Sequence, residues 1–145
     1  YGEENIFRYL PLKSCALRVK DTDNLLDVLQ ILTASNLSGT PLTVSISGGD
    51  KKLEAIEKAA KVILGIHIKI QDEDKFIEEM EQYERIRTCS PYISDALYIK
   101  AAELGKHIAM TKPIIEGRIE LLHYLKEQSI AYEYHRYGSI LGEDK

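Results

Sequence analysis

The sequence predicts an α/β fold in which a mostly parallel sheet carries helices on both faces. Apolar residues recur with period 2 and then with period 3.6 along the chain, which indicates strands alternating with helices. The helical segments are too long for hairpin turns, so successive strands are expected to run parallel. Right-handed crossovers of this kind give a doubly wound sheet. A length of 145 residues corresponds to about one domain with its own core.

Five short apolar segments predict the strands: 15–19, 42–47, 67–70, 85–90 and 107–110. Helices are expected over 21–36, 50–64, 72–83, 94–104 and about 116–126. Asp21 or Thr22 is the expected cap of the first helix. In the second helix, the stripe that begins at Leu53 and Ile56 runs to Leu64, with Gly65 closing the helix.

The two ends of the chain depart from this alternation. Residues 1–12 lack a helical stripe and contain Pro11, which predicts an extended arm or flap. Residues 13–128 form the predicted Rossmann-like domain, with five or six strands, and residues 129–145 a C-terminal strand followed by an HRYG tail. The chain opens at Tyr1 without a Met, so we expect a piece of a longer protein.

Composition narrows the class of partner. The net charge is −4 with acidic and basic residues interspersed, which argues against a nucleic-acid partner. No segment approaches the roughly 18 apolar residues that a membrane span needs. Cys15 and Cys89 lie far apart without metal or redox spacing, so a reduced, cytoplasmic setting is expected.

Ligands of a doubly wound sheet bind at the carboxyl ends of its strands, which makes the turns there the expected place for chemistry. The first turn, VKDTDN, contains no glycine and lacks the G-x-G-x-x-G fingerprint of dinucleotide sites. The second turn offers Gly48 and Gly49 as an anion nest. The carboxylate of Asp50 is expected to fill that nest and repel phosphate. We therefore predict no cofactor-binding residue in this chain.

Cys89 beside Ser90 at a strand end invites comparison with a catalytic nucleophile. A catalytic thiolate needs a base or another environment that depresses its pKa. The four histidines, His67, His107, His123 and His135, cannot be placed against it from sequence. We predict that Cys89 packs as a small hydrophobe and that no residue is catalytic. No H-x-x-x-H or C-x-x-C spacing supports a metal site.

A second candidate function is a phosphoacceptor domain that resembles two-component receivers. The residues in roughly the required places are Asp21, Asp23, Asp72, Thr88 and Lys112. The carboxylates would hold a magnesium ion, and Lys112 would neutralise the phosphoryl group. However, QDEDKFIEE lacks the Pro and Gly that shape a receiver's phosphoacceptor loop, and this alternative explains neither end of the chain.

The two ends carry a more specific resemblance. GEENIFRYLPL (2–12) and EGRIELLHYLKEQSIAYEYHRYG (116–138) together resemble the C-terminal region of proline utilization A. That family comprises bifunctional proline dehydrogenase and L-glutamate γ-semialdehyde (pyrroline-5-carboxylate) dehydrogenase. Longer members carry an extra domain, similar to an aldehyde dehydrogenase coenzyme-binding domain, followed by an EQ…HRYG motif. The resemblance covers the whole chain in layout and is specific at its ends.

The motifs of aldehyde dehydrogenase catalysis are absent from the sequence. Where those enzymes have F-T-G-S, Cys89 replaces the Gly, and a proline follows Ser90. MTKP stands where E-L-G-G is expected, and the G-Q-x-C nucleophile segment has no counterpart. The resemblance therefore implies a degenerate, noncatalytic coenzyme-binding fold. The parent would be an enzyme that uses FAD and NAD, of which this piece binds neither tightly.

The resemblance also implies what such a domain does. It would form a lid over the aldehyde site and the substrate tunnel, with the catalytic aldehyde dehydrogenase domain of the same polypeptide as its partner; homo-oligomerisation is left open. The expected contact residues are Tyr132, Tyr134, His135, Arg136, Tyr137 and Gly138, with Phe7, Arg8 and Tyr9 of the arm. Aromatic and Arg side chains favour interfaces, so His135 is expected to hydrogen-bond there. The alternative is an edge strand whose tyrosines pack on their own sheet.

Overall fold

A computed structural model describes residues 2–134, with side chains described for residues 3–133. The described residues fall into two compact units, of which one comprises residues 2–10 with 126–134 and the other Pro11–Leu125. The predicted boundaries at 12/13 and 128/129 lie a few residues from these. The predicted arm and the predicted C-terminal strand belong to one unit.

The described part of the chain contains seven strands. They are β1 (Gly2–Pro11), β2 (Cys15–Arg18), β3 (Leu42–Ile46), β4 (Ile66–Ile70), β5 (Arg85–Thr88), β6 (His107–Met110) and β7 (Leu125–Tyr134). Strands β2 to β6 form a parallel sheet in the order β4-β3-β2-β5-β6. The chain winds outward in both directions from β2 and β5, which confirms the predicted doubly wound, Rossmann-like fold. The sheet has five strands, because β7 pairs with β1 instead.

Helices connect the strands of this sheet. They are α1 (Leu25–Ser38), α2 (Leu53–Ala60), α3 (Glu73–Glu78), α4 (Asp95–Glu103) and α5 (Gly117–Glu120), with 3-10 turns at Met80–Gln82 and Leu121–Tyr124. The predicted cap of α1 is wrong: the side chain of Asn24 accepts the hydrogen bond from the Leu26 N–H. Within residues 2–134, none of these helices combines the length and apolarity needed to cross a bilayer.

Four helix predictions extend too far: α1 begins only at Leu25, α3 ends at Glu78 before a 3-10 turn, and the other two concern α2 and α5. The α2 stripe ends at Ala60, and Leu64 is 85% exposed, because the chain leaves the helix before Gly65 reverses it into β4 with a φ of 76°. The helix predicted over 116–126 is a short helix and a 3-10 turn, since β7 already begins at Leu125.

The two faces of the sheet carry separate apolar clusters. One cluster joins Val28 and Ile31 of α1 and Ile56 of α2 to the strands. The other joins Phe76 of α3 and Leu97 of α4 to the opposite face. Both clusters consist of fully or nearly fully buried side chains, so the predicted placement of helices on both faces is confirmed.

A buried ion pair crosses the carboxyl end of the sheet. The Arg87 side chain of β5 is 0% exposed, and its Nη2 lies 3.2 Å from Oε1 of Glu120. Its Nη1 donates to the backbone carbonyls of Thr88, Ala109 and Thr111. The Tyr124 hydroxyl donates to the same carboxylate at 2.9 Å. Nearly every polar atom of the pair thus has a partner, which burial of a charge requires.

We predict that Glu120→Ala lowers the free energy of unfolding by about 3–5 kcal/mol, because it leaves the Arg87 charge buried without its carboxylate. The exposed neighbour Glu116 gives the matched control, and Glu116→Ala is expected to change stability by less than about 0.5 kcal/mol. Urea unfolding followed by circular dichroism measures both. Equal stability of the two variants would contradict a structural role for the pair.

Candidate functional site

The carboxyl ends of β2 and β5 flank the topological switch point, where a ligand of this fold would lie. The chain's own groups span this crevice. Lys20, after β2, donates from Nζ to the backbone carbonyl of Tyr92, after β5, at 2.5 Å. The Asp23 carboxylate accepts from the Lys20 N–H at 2.7 Å and is itself largely buried, which raises its pKa. Both loops are therefore tied to each other across the opening.

The Arg18 side chain occupies the carboxyl end of the sheet next to this crevice. Arg18, at the end of β2, reaches across β3, and its Nη1 donates to the Ser45 hydroxyl at 2.8 Å and to the Gln71 carbonyl at 2.9 Å. Its guanidinium carbon lies 5.9 Å from the centre of the Phe76 ring. Burial lowers the pKa of Arg18, with nearby carboxylates opposing that shift. The cation thus serves internal contacts.

The glycine turn after β3 lines a cavity of about 350 Å³. Gly49 has a φ of 83°, a conformation that favours glycine. The Asp50 carboxylate accepts from the Lys52 N–H at 2.7 Å and lies 3.1 Å from Lys52 Nζ, and its side chain is 2% exposed. Desolvation acts to raise the pKa of Asp50, but the Lys52 contacts outweigh it and lower the pKa. The Asp50 carboxylate therefore occupies one backbone N–H of this turn, and its exclusion of phosphate stays a prediction.

The thiols lie in the core. Cys89 and Cys15 are both buried free cysteines, as predicted for Cys89. Burial raises the pKa of each thiol to about 12. Because the thiolate is the nucleophile, neither side chain is suited to covalent catalysis at neutral pH.

The described histidines lie away from the crevice. His67 and His107 stand at the amino ends of β4 and β6, opposite the carboxyl-end loops, as predicted. Burial lowers the pKa of His107 and His123, and nearby arginines lower it further. Over residues 2–134, no three His, Cys, Asp or Glu residues are grouped to hold a metal ion. His135 lies outside the described residues.

The receiver alternative is wrong, because it requires the third strand of the sheet to lie beside the first. Here β3 separates β4 from β2, so Asp72 stands at the edge of the sheet, away from Asp21 and Asp23. The Asp72 side chain instead caps α3 by accepting from the Lys75 N–H. The Thr88 hydroxyl donates to the Ser90 carbonyl, and Lys112 is exposed.

The second candidate site is the two-stranded sheet of β1 and β7, which we call the ribbon. Arg8 of β1 donates from Nε to Gln128 Oε1 of β7 at 2.6 Å. The Phe7 and Tyr9 rings meet edge to face with centroids 5.3 Å apart and are 59% and 46% exposed. Tyr132 of β7 is 48% exposed. The structure thus brings Phe7, Arg8 and Tyr9 of one chain end and Tyr132 of the other into one element.

Several predicted contact residues are not described. The side chain of Tyr134 and all of His135, Arg136, Tyr137 and Gly138 lie outside the described residues, so their roles stay predictions. β7 pairs with β1, so the C-terminal strand is not a sixth strand of the main sheet, and the alternative that its tyrosines pack only on their own sheet stays a prediction.

Sequence reasoning missed an apolar groove of about 390 Å³ on the outer side of α1. It lies between α1 and residues 114–121, with Leu26, Leu37 and Ile115 along it. These three side chains are largely exposed. The sequence signal that could have revealed this groove is the position of Leu26 and Leu37, two apolar residues that lie off the buried stripe of α1. Most of the groove's lining is apolar, with Gln30, Thr33 and Glu120 as the polar residues.

The chain matches no protein-family model and no curated protein.

We predict that Cys15 and Cys89 do not react with a thiol reagent such as DTNB in the folded chain at pH 8. A pKa of about 12 leaves only about one thiol in ten thousand ionised at that pH, and burial blocks access. Both thiols should react once the chain is unfolded in urea. Ser129→Cys, at an exposed position, supplies a reactive control. Fast reaction of the wild-type thiols would contradict their burial.

Proposed function

We propose that this chain is a noncatalytic C-terminal domain of a proline-catabolic oxidoreductase similar to proline utilization A. In that role it covers the aldehyde dehydrogenase site and the substrate tunnel of its parent and supplies an association surface. Two observations support the proposal: the two chain ends resemble those of proline utilization A, and these ends pair as the ribbon of β1 and β7. Its partner is the catalytic aldehyde dehydrogenase domain of the same polypeptide.

The observation that carries the proposal is the exposed ribbon. A two-stranded sheet is marginally stable in water without packing against another surface. Residues 3–9 of β1 are all exposed, including the aromatic rings of Phe7 and Tyr9. Aromatic side chains supply most of the binding energy at many protein interfaces. An element of this kind is suited to cover a neighbouring domain.

The occupied strand ends support the noncatalytic part of the proposal. A dinucleotide needs close backbone approach at the first turn and a free helix N-terminus for its pyrophosphate. Here Lys20 spans the first turn, and the Asp50 carboxylate takes the N–H of Lys52. A negative charge at that position repels phosphate. The fold is therefore suited to a scaffold role.

The parent would hold FAD and NAD in its other domains and would carry out the oxidations there. Neither Cys15 nor Cys89 supplies a thiolate nucleophile, since burial keeps both protonated at neutral pH. A reducing cytoplasm is the setting in which two free, buried thiols are ordinary.

The coenzyme prediction is tested by titrating NAD into the 145-residue chain by calorimetry. No binding heat is expected up to millimolar NAD, because Lys20 Nζ donates to the Tyr92 carbonyl and the Asp50 carboxylate takes the Lys52 N–H where a phosphate would sit. An NAD-dependent aldehyde dehydrogenase titrated in parallel confirms that the coenzyme is competent. Micromolar binding to the chain would overturn the scaffold proposal.

The lid prediction is tested in the full-length parent with a variant in which His135, Arg136 and Tyr137 are all changed to Ala. Semialdehyde oxidation, or transfer of the intermediate to it, is expected to fall at least tenfold, roughly the effect of losing 1.4 kcal/mol of contact. Proline oxidation should be unchanged. Glu57→Ala, on the exposed side of α2, is the control. Equal loss of both activities would indicate misfolding and contradict the lid role.

A further inference from the structure

The two faces of the ribbon differ in chemistry. Side chains alternate between the faces of a strand, and the hydrogen bond from Arg8 to Gln128 places both on one face. The even-numbered residues of β1 and β7 therefore share that face, including Ile130 and Tyr132. The odd-numbered residues of both strands form the opposite face.

The opposite face is aromatic at its centre and acidic at its margins. Phe7 and Tyr9 stand on β1, and Ser129 and Ala131 are the small residues of β7 on the same face. The acidic residues are Glu3, Glu127 and Glu133. These three glutamates, the two aromatic residues and the two small residues are all exposed. We call this surface the acidic aromatic face. Its described residues include no Lys or Arg.

We propose that the acidic aromatic face docks on a protein surface that has an apolar centre bordered by arginine or lysine. This inference rests on the proposed function, in which the chain is an association domain, and it names the face used and the chemistry of the partner. The apolar centre would cover the Phe7 and Tyr9 rings, and the cations would meet the glutamates.

The arrangement favours arginine among the cations. A guanidinium stacks on the face of an aromatic ring and at the same time binds a carboxylate through two N–H groups. The exposed rings of Phe7 and Tyr9 and the carboxylates of Glu3, Glu127 and Glu133 offer both kinds of partner on one surface. Association through this face should accordingly weaken as salt screens the charges.

A second copy of the chain is a poor occupant of this face. In a two-fold contact, three glutamates of one copy would meet three of the other, and such like-charge contacts cost several kcal/mol when they lose water. A nucleic acid is excluded by the same charge. The occupant is therefore a different, cationic protein surface.

The test places a photo-reactive benzoylphenylalanine at Tyr9 of the full-length polypeptide that contains this chain. Cross-linked peptides are identified by mass spectrometry after irradiation. The same probe at Arg8, on the other face, is the matched control. We expect the Tyr9 probe to cross-link at least fivefold more, to a peptide outside residues 1–145 that carries arginine or lysine beside apolar residues.

Charge reversal then tests the electrostatic part. Glu127→Lys with Glu133→Lys should lower the Tyr9 cross-link at least tenfold. The control, Glu57→Lys with Glu78→Lys, changes two exposed glutamates of α2 and α3 and should leave the yield unchanged. Because a charge-reversed chain can misfold, the wild-type yield is also measured in about 1 M salt, where the screening length is only about 3 Å and the yield should fall.

The outcomes separate the two proposals. Cross-linking to a second copy, to residues 135–145 of the same chain, or to nothing would overturn the inference, as would a yield insensitive to charge reversal and salt. A cationic apolar peptide in an aldehyde dehydrogenase domain supports both proposals. The same peptide chemistry in a domain of another kind supports this inference and overturns the proposed function.

Discussion

The segment that connects β6 to β7 depends on the buried guanidinium of Arg87. Arg87 stands on β5 and binds the carbonyls of Thr88 in β5, Ala109 in β6 and Thr111 just after β6, so it ties the carboxyl ends of these strands together. Its partner Glu120 also accepts the N–H of Ile114 and the hydroxyl of Tyr124. One carboxylate thereby secures the whole segment between β6 and β7. Such a pair tolerates the loss of neither partner.

Tyr124 extends this network to the point where the chain enters and leaves the main domain. Its carbonyl accepts from the Leu12 N–H at 3.0 Å and from the Thr40 hydroxyl at 2.6 Å. The Thr40 oxygen also accepts from the Leu12 N–H. Residues next to the ends of β1 and β7 are therefore held side by side. This junction makes pairing of two distant chain ends into the ribbon physically straightforward, because little loop-closure entropy remains to be lost.

At the carboxyl ends of the sheet, the polar groups that could bind a ligand form hydrogen bonds within the chain instead. The strand order creates a switch-point crevice, but Lys20, Arg18 and Asp50 direct their polar groups to the chain itself. These contacts stabilise the loops and use the donors that an anion would need. Fold and activity are separable, and the chemistry depends on the groups at the site. The exposed ribbon then becomes the feature most suited to function.

Alternating periodicity predicted the strands, the crossover helices and their two-sided arrangement, since this signal lies within one element. The fate of Asp50 was predictable for the same reason, because its acceptor role toward Lys52 spans two residues. The sequence did not predict the strand order, which rules out the receiver alternative. It also did not predict the pairing of Arg8 with Gln128, which lie 120 residues apart. Nor did it predict the partner of Arg87, which lies 33 residues away. Contacts between distant segments depend on the packing of the whole chain, and no local pattern encodes which segments meet.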